Sequence, residues 1–280
     1  MRIAISNIAW DPAEDEHVAQ LLRRYEIDAI DVAPGKYFPD PIKASNDEIS
    51  RVKHGWSDKG IEVTGMQALL FGTSGLNLFG TAETQQAMLA HLGAVCRIGA
   101  GLGAPRLVFG SPKNRDRSGL DDAQAIDIAL SFFRRLGDIA RSYGVIVCLE
   151  PNPPRYGANF MTTAAETAAI VAQVAHPAIR MQFDSGAFTI NGEDPCSVLE
   201  NFAPLIGHIH ASEPDLVPLG DSTTDHGKIA KVLAQVLPHH LVCIEMLATK
   251  NESHLVSIER ALGVAIRHYR FNENNSVQTA

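Results

Sequence analysis

Four apolar stretches of this sequence each end in a side chain that can bind a metal ion or transfer a proton. VIVCLE ends in Glu150, IRMQFD in Asp184, IGHIH in His210 and LVCIE in Glu245. Short runs of apolar and β-branched residues are typical of parallel strands that are buried on both faces. A charge at the end of such a strand is costly unless a partner compensates it. These four residues are therefore the candidates for chemistry.

Together, two glutamates, one aspartate and one histidine form an oxygen-rich ligand set with a single nitrogen. Such a set suits a divalent cation of intermediate hardness, and we expect Mn²⁺, with Mg²⁺, Co²⁺ or Zn²⁺ as alternatives. Three carboxylates packed together without a cation would repel one another and raise their pKa values. Any one of the four could instead cap its strand or pair with an arginine. Their joint occurrence at strand ends favours a metal site.

The elements that must position these residues alternate regularly along the chain. The predicted strands are Ile3 to Ile8, Ala29 to Val32, Ile61 to Leu69, Arg106 to Phe109, the Val145 run that closes at Pro151, Arg180 to Phe183, Gly207 to His210 and Leu241 to Met246. The predicted helices are Pro12 to Tyr25, Ser45 to Trp56, Glu83 to Gly99, Asp122 to Tyr143, Thr163 to Val174, Pro195 to Phe202, Asp225 to Leu237 and Glu252 to Tyr269.

This alternation predicts an α/β fold, a (β/α)8 TIM barrel. Active sites of such barrels lie at the C-terminal ends of the strands, which is the face where all four candidates are expected. The length of 280 residues suits one barrel domain, residues 1–270, followed by a polar tail, residues 271–280, that we predict to be flexible.

Composition narrows the possible partners. Of the residues, 45% are hydrophobic, which is enough for a large core. The formal net charge is −8 without a basic cluster, which argues against a nucleic-acid partner. No apolar run is long enough for a bilayer, and MRIAISNIAW already begins as a strand, which predicts neither a membrane span nor a secretory signal. We therefore expect a cytoplasmic protein that acts on a small molecule.

The sequence resembles the xylose-isomerase-like TIM barrels of sugar phosphate isomerases and epimerases, a superfamily that includes endonuclease IV. The resemblance covers nearly the whole chain and rests on the strand ends LEPN, QFDSG, HIHASE and CIEM. The spacing of these strand ends is similar to that of the ketose 3-epimerase branch. The resemblance implies that Glu150, Asp184, His210 and Glu245 bind the metal and that Glu150 and Glu245 form an acid/base pair. It also implies a carbohydrate substrate and a dimer or tetramer.

The residue types suit that chemistry independently of the resemblance. Removing a proton from a carbon next to a ketone needs a base and a cation that polarises the carbonyl oxygen. A second carboxyl group can return the proton, to the same carbon in epimerisation or to its neighbour in isomerisation. Two alternatives remain open. One is a dehydratase of the inosose or dehydroshikimate type, and the other is a non-catalytic barrel that binds a sugar.

Two positions depart from the epimerase pattern. Epimerases of this group carry a histidine three residues after the aspartate ligand, where this chain has Ala187, and an arginine shortly after the histidine ligand, where it has Asp215, Leu216 and Val217. Both groups normally contact substrate oxygens. Their absence leaves the four candidate metal ligands in place, but the sequence does not imply the family's usual substrate. Ala187 also argues against endonuclease IV, whose zinc site needs additional histidines.

Several residues near the predicted strand ends are candidate substrate contacts, and most of them also have a structural explanation. Trp10 and Gln67 suit a wall of the site, or packing at the barrel rim. Lys113 and Arg115 suit a phosphate or carboxylate, or a solvated basic loop. Arg155 and Tyr156 suit a polyol. Glu213 suits a contact with a metal ligand or with the substrate, or it is a solvated acid in a loop. His226 suits a catalytic role, or it only belongs to the start of the helix that Asp225 caps.

Overall fold

The strands close into a parallel barrel in the computed structural model, which describes residues 1–270. Each strand pairs with its neighbours in sequence, and the first pairs with the last. The (β/α)8 TIM barrel is therefore confirmed, and the prediction for residues 271–280 lies outside the described residues. The strands are β1 Ile3–Ser6, β2 Ala29–Val32, β3 Glu62–Met66, β4 Arg106–Phe109, β5 Ile146–Leu149, β6 Ile179–Asp184, β7 Ile206–Ser212 and β8 Val242–Glu245.

Helices surround the barrel and bury their apolar faces against the outer side of the strands. Their bounds are α1 Asp15–Arg24, α2 Asn46–Ser57, α3 Ala82–Leu102, α4 Asp122–Ser142, α5 Ala164–Val174, α6 Ser185–Asn191, α7 Pro195–Phe202, α8 His226–Val236 and α9 His254–Tyr269. None of the helices in residues 1–270 is both long and apolar enough to cross a bilayer.

Helix starts are the best predicted local features. The Ser45 hydroxyl accepts a hydrogen bond from the Glu48 N–H, and the Thr163 hydroxyl accepts one from the Glu166 N–H. Asp225 caps α8 in the same way, through the Lys228 N–H. Side-chain caps are readable from sequence because they satisfy backbone donors that every helix leaves free.

Among the strands that end earlier than predicted, β1 and β3 shape the mouth of the barrel. β1 stops at Ser6, whose hydroxyl caps a short 3-10 helix over Asn7–Ala9. The Asn7 side chain there accepts the Ala33 N–H at 2.7 Å. β3 stops at Met66, because Ala68 has a left-handed backbone with φ of 54° that no strand can continue.

The side chains inside the barrel are small and apolar at its base and polar above it. Ala4, Ala29 and Cys243 form a separate buried cluster. Because side chains alternate between the two faces of a strand, Asp31 shares the interior face with Ala29. All four cysteines are free and buried. The interior therefore carries polar groups directly beneath the strand ends.

Candidate metal and catalytic centre

Glu150, Asp184, His210 and Glu245 converge at the C-terminal end of the barrel. Glu150 follows β5 directly, Asp184 and Glu245 are the last residues of β6 and β8, and His210 lies within β7. One ligand atom from each side chain lies within 4.8 Å of the other three, and all four residues are buried. Parallel strands bring these residues together because their C-terminal ends share one face of the barrel.

In each carboxylate, one oxygen is held by the protein. Oε2 of Glu150 accepts a hydrogen bond from the Asn152 amide at 3.0 Å. Oδ1 of Asp184 accepts from the Ala187 N–H at 2.7 Å and from the Ser212 hydroxyl at 2.9 Å. Oε1 of Glu245 accepts from the Gln67 amide at 2.5 Å. These bonds fix the rotation of each carboxylate group.

The other oxygen of each carboxylate faces one atom, Nδ1 of His210. The distances from Nδ1 are 3.1 Å to Glu245 Oε2, 3.6 Å to Glu150 Oε1 and 3.8 Å to Asp184 Oδ2. Both ring nitrogens of His210 and Glu150 Oε1 are buried without a hydrogen bond. Four atoms of a mixed oxygen and nitrogen set therefore point at a common centre.

This arrangement fits a divalent cation. Ligands at about 2.1 Å from one ion lie roughly 3.0 to 3.5 Å apart, so the observed separations need only small adjustments. Buried polar atoms without a hydrogen bond are rare in folded proteins and call for an explanation such as an ion. A cation would satisfy the free nitrogen and the three free oxygens at once.

The crowding of charges changes how the cluster holds protons. Burial, and then the charges of Glu245 and Glu150, raise the pKa of Asp184 well above its ordinary value. Burial lowers the pKa of His210, but Glu245 and Glu150 outweigh it and raise that pKa well above its ordinary value. Burial raises the pKa of Glu245, but His210 outweighs it and lowers that pKa to about 2. A cation that binds here has to displace protons from Asp184 and His210.

Gly110, just after β4, leaves the space that the Glu150 carboxylate fills. A Cβ atom at this position would overlap Glu150 Oε2. We therefore expect Gly110→Ala to push this carboxylate out of the cluster and to lower turnover roughly 100-fold, since a misplacement of about 1 Å has effects of that size. Steady-state kinetics on a carbohydrate substrate would check this.

The matched control for Gly110→Ala is Gly263→Ala in α9, where a Cβ would meet no atom within 4 Å. The control should retain full turnover and the same melting temperature or a slightly higher one, because alanine favours helix. Equal activity of the two variants would show that the position of the Glu150 carboxylate is not critical.

Of the predicted substrate contacts, Gln67 lies inside the centre. It is buried, and its amide holds Glu245. Lys113 is exposed, and its amino group donates to the Thr73 carbonyl at 3.2 Å. A contact between Lys113 and a substrate anion stays a prediction.

Four others are buried and make contacts within the protein, and their contacts with a substrate stay predictions. Trp10 is completely buried, packs edge-on against Trp56, and donates its indole N–H to Asp15 at 2.8 Å. Arg115 is also completely buried and donates to the backbone carbonyl of Glu150 at 2.7 Å. Neither side chain is exposed in this structure, and burial lowers the pKa of Arg115 to about 10.

Glu213 and His226 are the other two buried residues, and they contact each other below the surface. His226 Nε2 lies 3.2 Å from Glu213 Oε1, and His226 Nδ1 lies 2.7 Å from the Tyr269 hydroxyl. Glu213 also accepts the N–H groups of Gly220 and Thr224. Their polar atoms are satisfied within the protein, so they order the loop between β7 and α8 instead of facing the mouth.

Arg155 and Tyr156 lie in a contact between two loops at the mouth. Arg155 Nη2 is 2.6 Å from Asp215 Oδ2, and the Tyr156 hydroxyl accepts the Asp215 N–H at 2.9 Å. Asp215 and Leu216 both have left-handed backbones, with φ of 60° and 54°. The predicted contacts of Arg155 and Tyr156 with a polyol stay predictions.

Sequence reasoning missed the residues that support the ligands. Asn152 lies in the LEPN motif itself, and Ser212 lies two residues after His210 on the same face of β7. The same period of two places His208 beside His210 in the barrel, and Asp31 was visible as a charge within the apolar strand β2. The alternation of side chains along each strand shows which residues face the barrel interior. It does not show which of them contact one another, because those contacts form only when the barrel closes.

The closed barrel and the four clustered side chains define the class of protein: a TIM barrel with a candidate metal centre at the C-terminal ends of its strands. The chain belongs to the xylose isomerase-like TIM barrel family, whose model matches residues 19–268. No curated protein matches the sequence.

Solved structures with the same fold include two sugar epimerases and a dehydratase. A D-psicose 3-epimerase crystallised with D-fructose has a TM-score of 0.79 at 20% identity, covering 96% of this chain and 99% of that one. A 3-keto-D-glucoside 4-epimerase from E. coli has a TM-score of 0.76 at 17% identity, covering 93% and 98%. A probable 3-DHS dehydratase from Bacillus anthracis has a TM-score of 0.73 at 14% identity, covering 94% and 98%. At these identities the similarity establishes the fold.

Proposed function

We propose that this protein is a divalent-metal-dependent epimerase or isomerase of a sugar or sugar phosphate. The observation that carries the proposal is the convergence of three carboxylate oxygens and His210 Nδ1 at the catalytic face of the barrel. Two of the structural neighbours described above are sugar epimerases, which supports the substrate class. Mn²⁺ is the expected ion, with Mg²⁺, Co²⁺ or Zn²⁺ as alternatives.

The proposed roles follow from how each side chain is held. Glu150, Asp184, His210 and Glu245 would bind the ion, and a divalent cation bound there polarises a substrate carbonyl. Glu150 and Glu245 act as the acid/base pair at the carbon next to that carbonyl. Asn152 and Gln67 each bind one oxygen of these glutamates, so the carboxylates approach the substrate in a fixed orientation.

One glutamate removes the proton and leaves the substrate as an enediolate, and the other returns a proton. Return to the same carbon from the opposite face gives an epimer, and return to the neighbouring carbon gives an isomer. Ala187 has no side-chain group that can hydrogen-bond to a hydroxyl group. Recognition of the sugar is therefore assigned to the loops at the mouth, where Arg155 keeps 60% of its side-chain surface exposed.

A dehydratase is the second candidate, because a probable 3-DHS dehydratase has the same fold over 94% of this chain. The first step would be the same removal of a proton next to a carbonyl. The two reactions differ in the second step, in which a dehydratase expels a hydroxide and an epimerase returns a proton. Only the dehydratase releases a product that is lighter by one water.

The deciding experiment incubates the metal-loaded protein in D₂O with a panel of ketoses and ketose phosphates, with and without a chelator. We expect chelator-sensitive loss of the C–H signal next to the carbonyl in proton NMR, together with a new stereoisomer or aldose. A product lighter by one water would select the dehydratase. An absence of exchange across the panel, with the metal shown to be bound, would argue for a barrel that only binds a sugar.

A further inference from the structure

The barrel layer directly beneath the candidate centre contains Asp31, Gln182 and His208, each at most 4% exposed. Interiors of parallel barrels are normally filled by layers of branched apolar side chains. A buried carboxylate and imidazole cost free energy unless they are paired and hydrogen-bonded. The presence of these groups, where valine or isoleucine would pack well, requires a reason.

The three side chains contact one another in a chain. His208 Nε2 lies 2.9 Å from Asp31 Oδ2, and His208 Nδ1 lies 3.2 Å from Gln182 Oε1. The Gln182 amide nitrogen donates to the Phe183 carbonyl at 3.2 Å, which directs Oε1 at His208. The Thr64 hydroxyl donates to Asp31 Oδ1 at 3.0 Å. Asp31 Oδ1 is thus held by Thr64, whereas Asp31 Oδ2 and His208 Nε2 are close but make no hydrogen bond, so Oδ2 can still accept a proton.

Both β-bulges of the barrel occur at residues of this chain of contacts. The register between β2 and β3 shifts between Ile30 and Asp31, and the register between β6 and β7 shifts between Met181 and Gln182. Bulges re-aim side chains and are frequent next to active sites. Gly65, beside the first bulge, leaves room for Asp31, since a Cβ there would lie 2.5 Å from Asp31 Oδ2.

His210 connects this layer to the candidate centre. Its ring packs edge-on against His208, with ring centroids 5.1 Å apart. One ligand-type atom from each of Asp31, His208 and His210 lies within 4.8 Å of the other two. Nδ1 of His210 faces the three carboxylates, and Nε2 is buried without a hydrogen bond. Asp31 is the buried carboxylate beneath this ring that is not part of the candidate ligand set.

We propose that Asp31 is a positioning residue for His210: it accepts the Nε2 proton and so keeps the Nδ1 lone pair directed at the cation. Histidine ligands generally donate their second ring N–H to a carboxylate, a carbonyl or water, which fixes both the tautomer and the ring orientation. Thr64 fixes Oδ1 of Asp31 for this role, and His208, which Gln182 orients, lies beside Oδ2. The inference rests on the proposed function, because it needs a cation at His210.

The test is metal affinity, measured without substrate. Co²⁺ is titrated into the metal-free protein and followed by calorimetry and visible absorption, for wild type and for Asp31→Asn. We expect binding about 10 to 100 times weaker in the variant, because partners behind a ligand contribute that much. The ligand-field bands should also change, since the orientation of His210 changes. Asp28→Asn, the same substitution at an exposed position before β2, should leave both readouts unchanged.

A readout on wild type keeps the inference testable if Asp31→Asn does not fold. In protein loaded with Zn²⁺ and labelled with ¹⁵N-histidine, the Nε2–H of His210 should appear as a protected ring N–H signal. Its absence would overturn the proposal, as would wild-type Co²⁺ affinity and spectrum in a folded Asp31→Asn. Two Co²⁺ per wild-type chain, with one lost in the variant, would make Asp31 a ligand and also overturn it. Failure of wild type to bind any of these ions would instead contradict the proposed function.

Discussion

Exchange of the substrate proton next to the carbonyl should fall to background when both glutamates of the centre are replaced, in Glu150→Gln/Glu245→Gln. General acid or base catalysis by one positioned side chain contributes about 10² to 10⁴ in rate. Each single variant should therefore retain about one hundredth to one ten-thousandth of wild-type turnover. Glutamine keeps the size of glutamate and can still bind Asn152 or Gln67, so the loss reports the missing carboxylate. NMR in D₂O measures the exchange.

Because both glutamates are also proposed metal ligands, weakened metal binding has to be separated from lost proton transfer. The exchange is therefore measured at a metal concentration that saturates each variant, as established by calorimetry. Glu200→Gln in α7, an exposed glutamate, is the matched control and should behave as wild type. If the double variant, saturated with metal, exchanged the proton at the wild-type rate, the acid/base assignment would be wrong.

The candidate ligands were predictable from sequence because each one ends a largely apolar run. The residues at Glu150, Asp184, His210 and Glu245 stand out locally, and the parallel barrel places all strand ends on one face. Helix α6 was not among the predicted helices, because the sequence has no comparable pattern there. Its first residues are small, and its start depends on Asp184, whose side chain accepts the Ala187 N–H.

Trp10 and Glu213 are buried for physical reasons that the sequence pattern did not show. Trp10 was expected at the mouth because β1 was predicted to reach Ile8. The 3-10 helix over Asn7–Ala9 turns the chain away, so the indole meets Asp15 and Trp56 behind the mouth. Glu213 pairs with a histidine in the next helix, and local patterns do not contain such pairings.

Removing the metal should abolish turnover and lower the melting temperature, and the size of that shift should depend on pH. Mn²⁺ at about 100 times its dissociation constant stabilises the folded state by roughly 2.7 kcal/mol. For a chain of 280 residues, that corresponds to a gain of about 5 °C. Differential scanning calorimetry with and without Mn²⁺ measures the gain at each pH.

The direction of the pH effect follows from Asp184 and His210, whose folded-state pKa values both lie above their ordinary values of 3.8 and 6.5. Stability contributed by such groups is fully present below the unfolded pKa and is lost as pH rises through the folded pKa. Rising pH therefore destabilises the metal-free protein and also removes the protons that compete with the metal. Glu245 has the opposite sign, but its contribution is lost only as pH falls from 4.5 to about 2. The gain from Mn²⁺ should therefore grow as the pH rises above the ordinary values of these two groups, 3.8 and 6.5.

Asp184→Asn separates this explanation from a general effect of the metal on the protein. Asparagine can still accept the Ala187 N–H at the start of α6, but it removes one of three crowded carboxylates. The metal-free variant should therefore melt at the same temperature as wild type or higher, because the repulsion with Glu245 and Glu150 is gone. Its gain from Mn²⁺ should nearly vanish, since a ligand is lost. A gain equal to that of wild type would mean that the ion binds elsewhere on the protein.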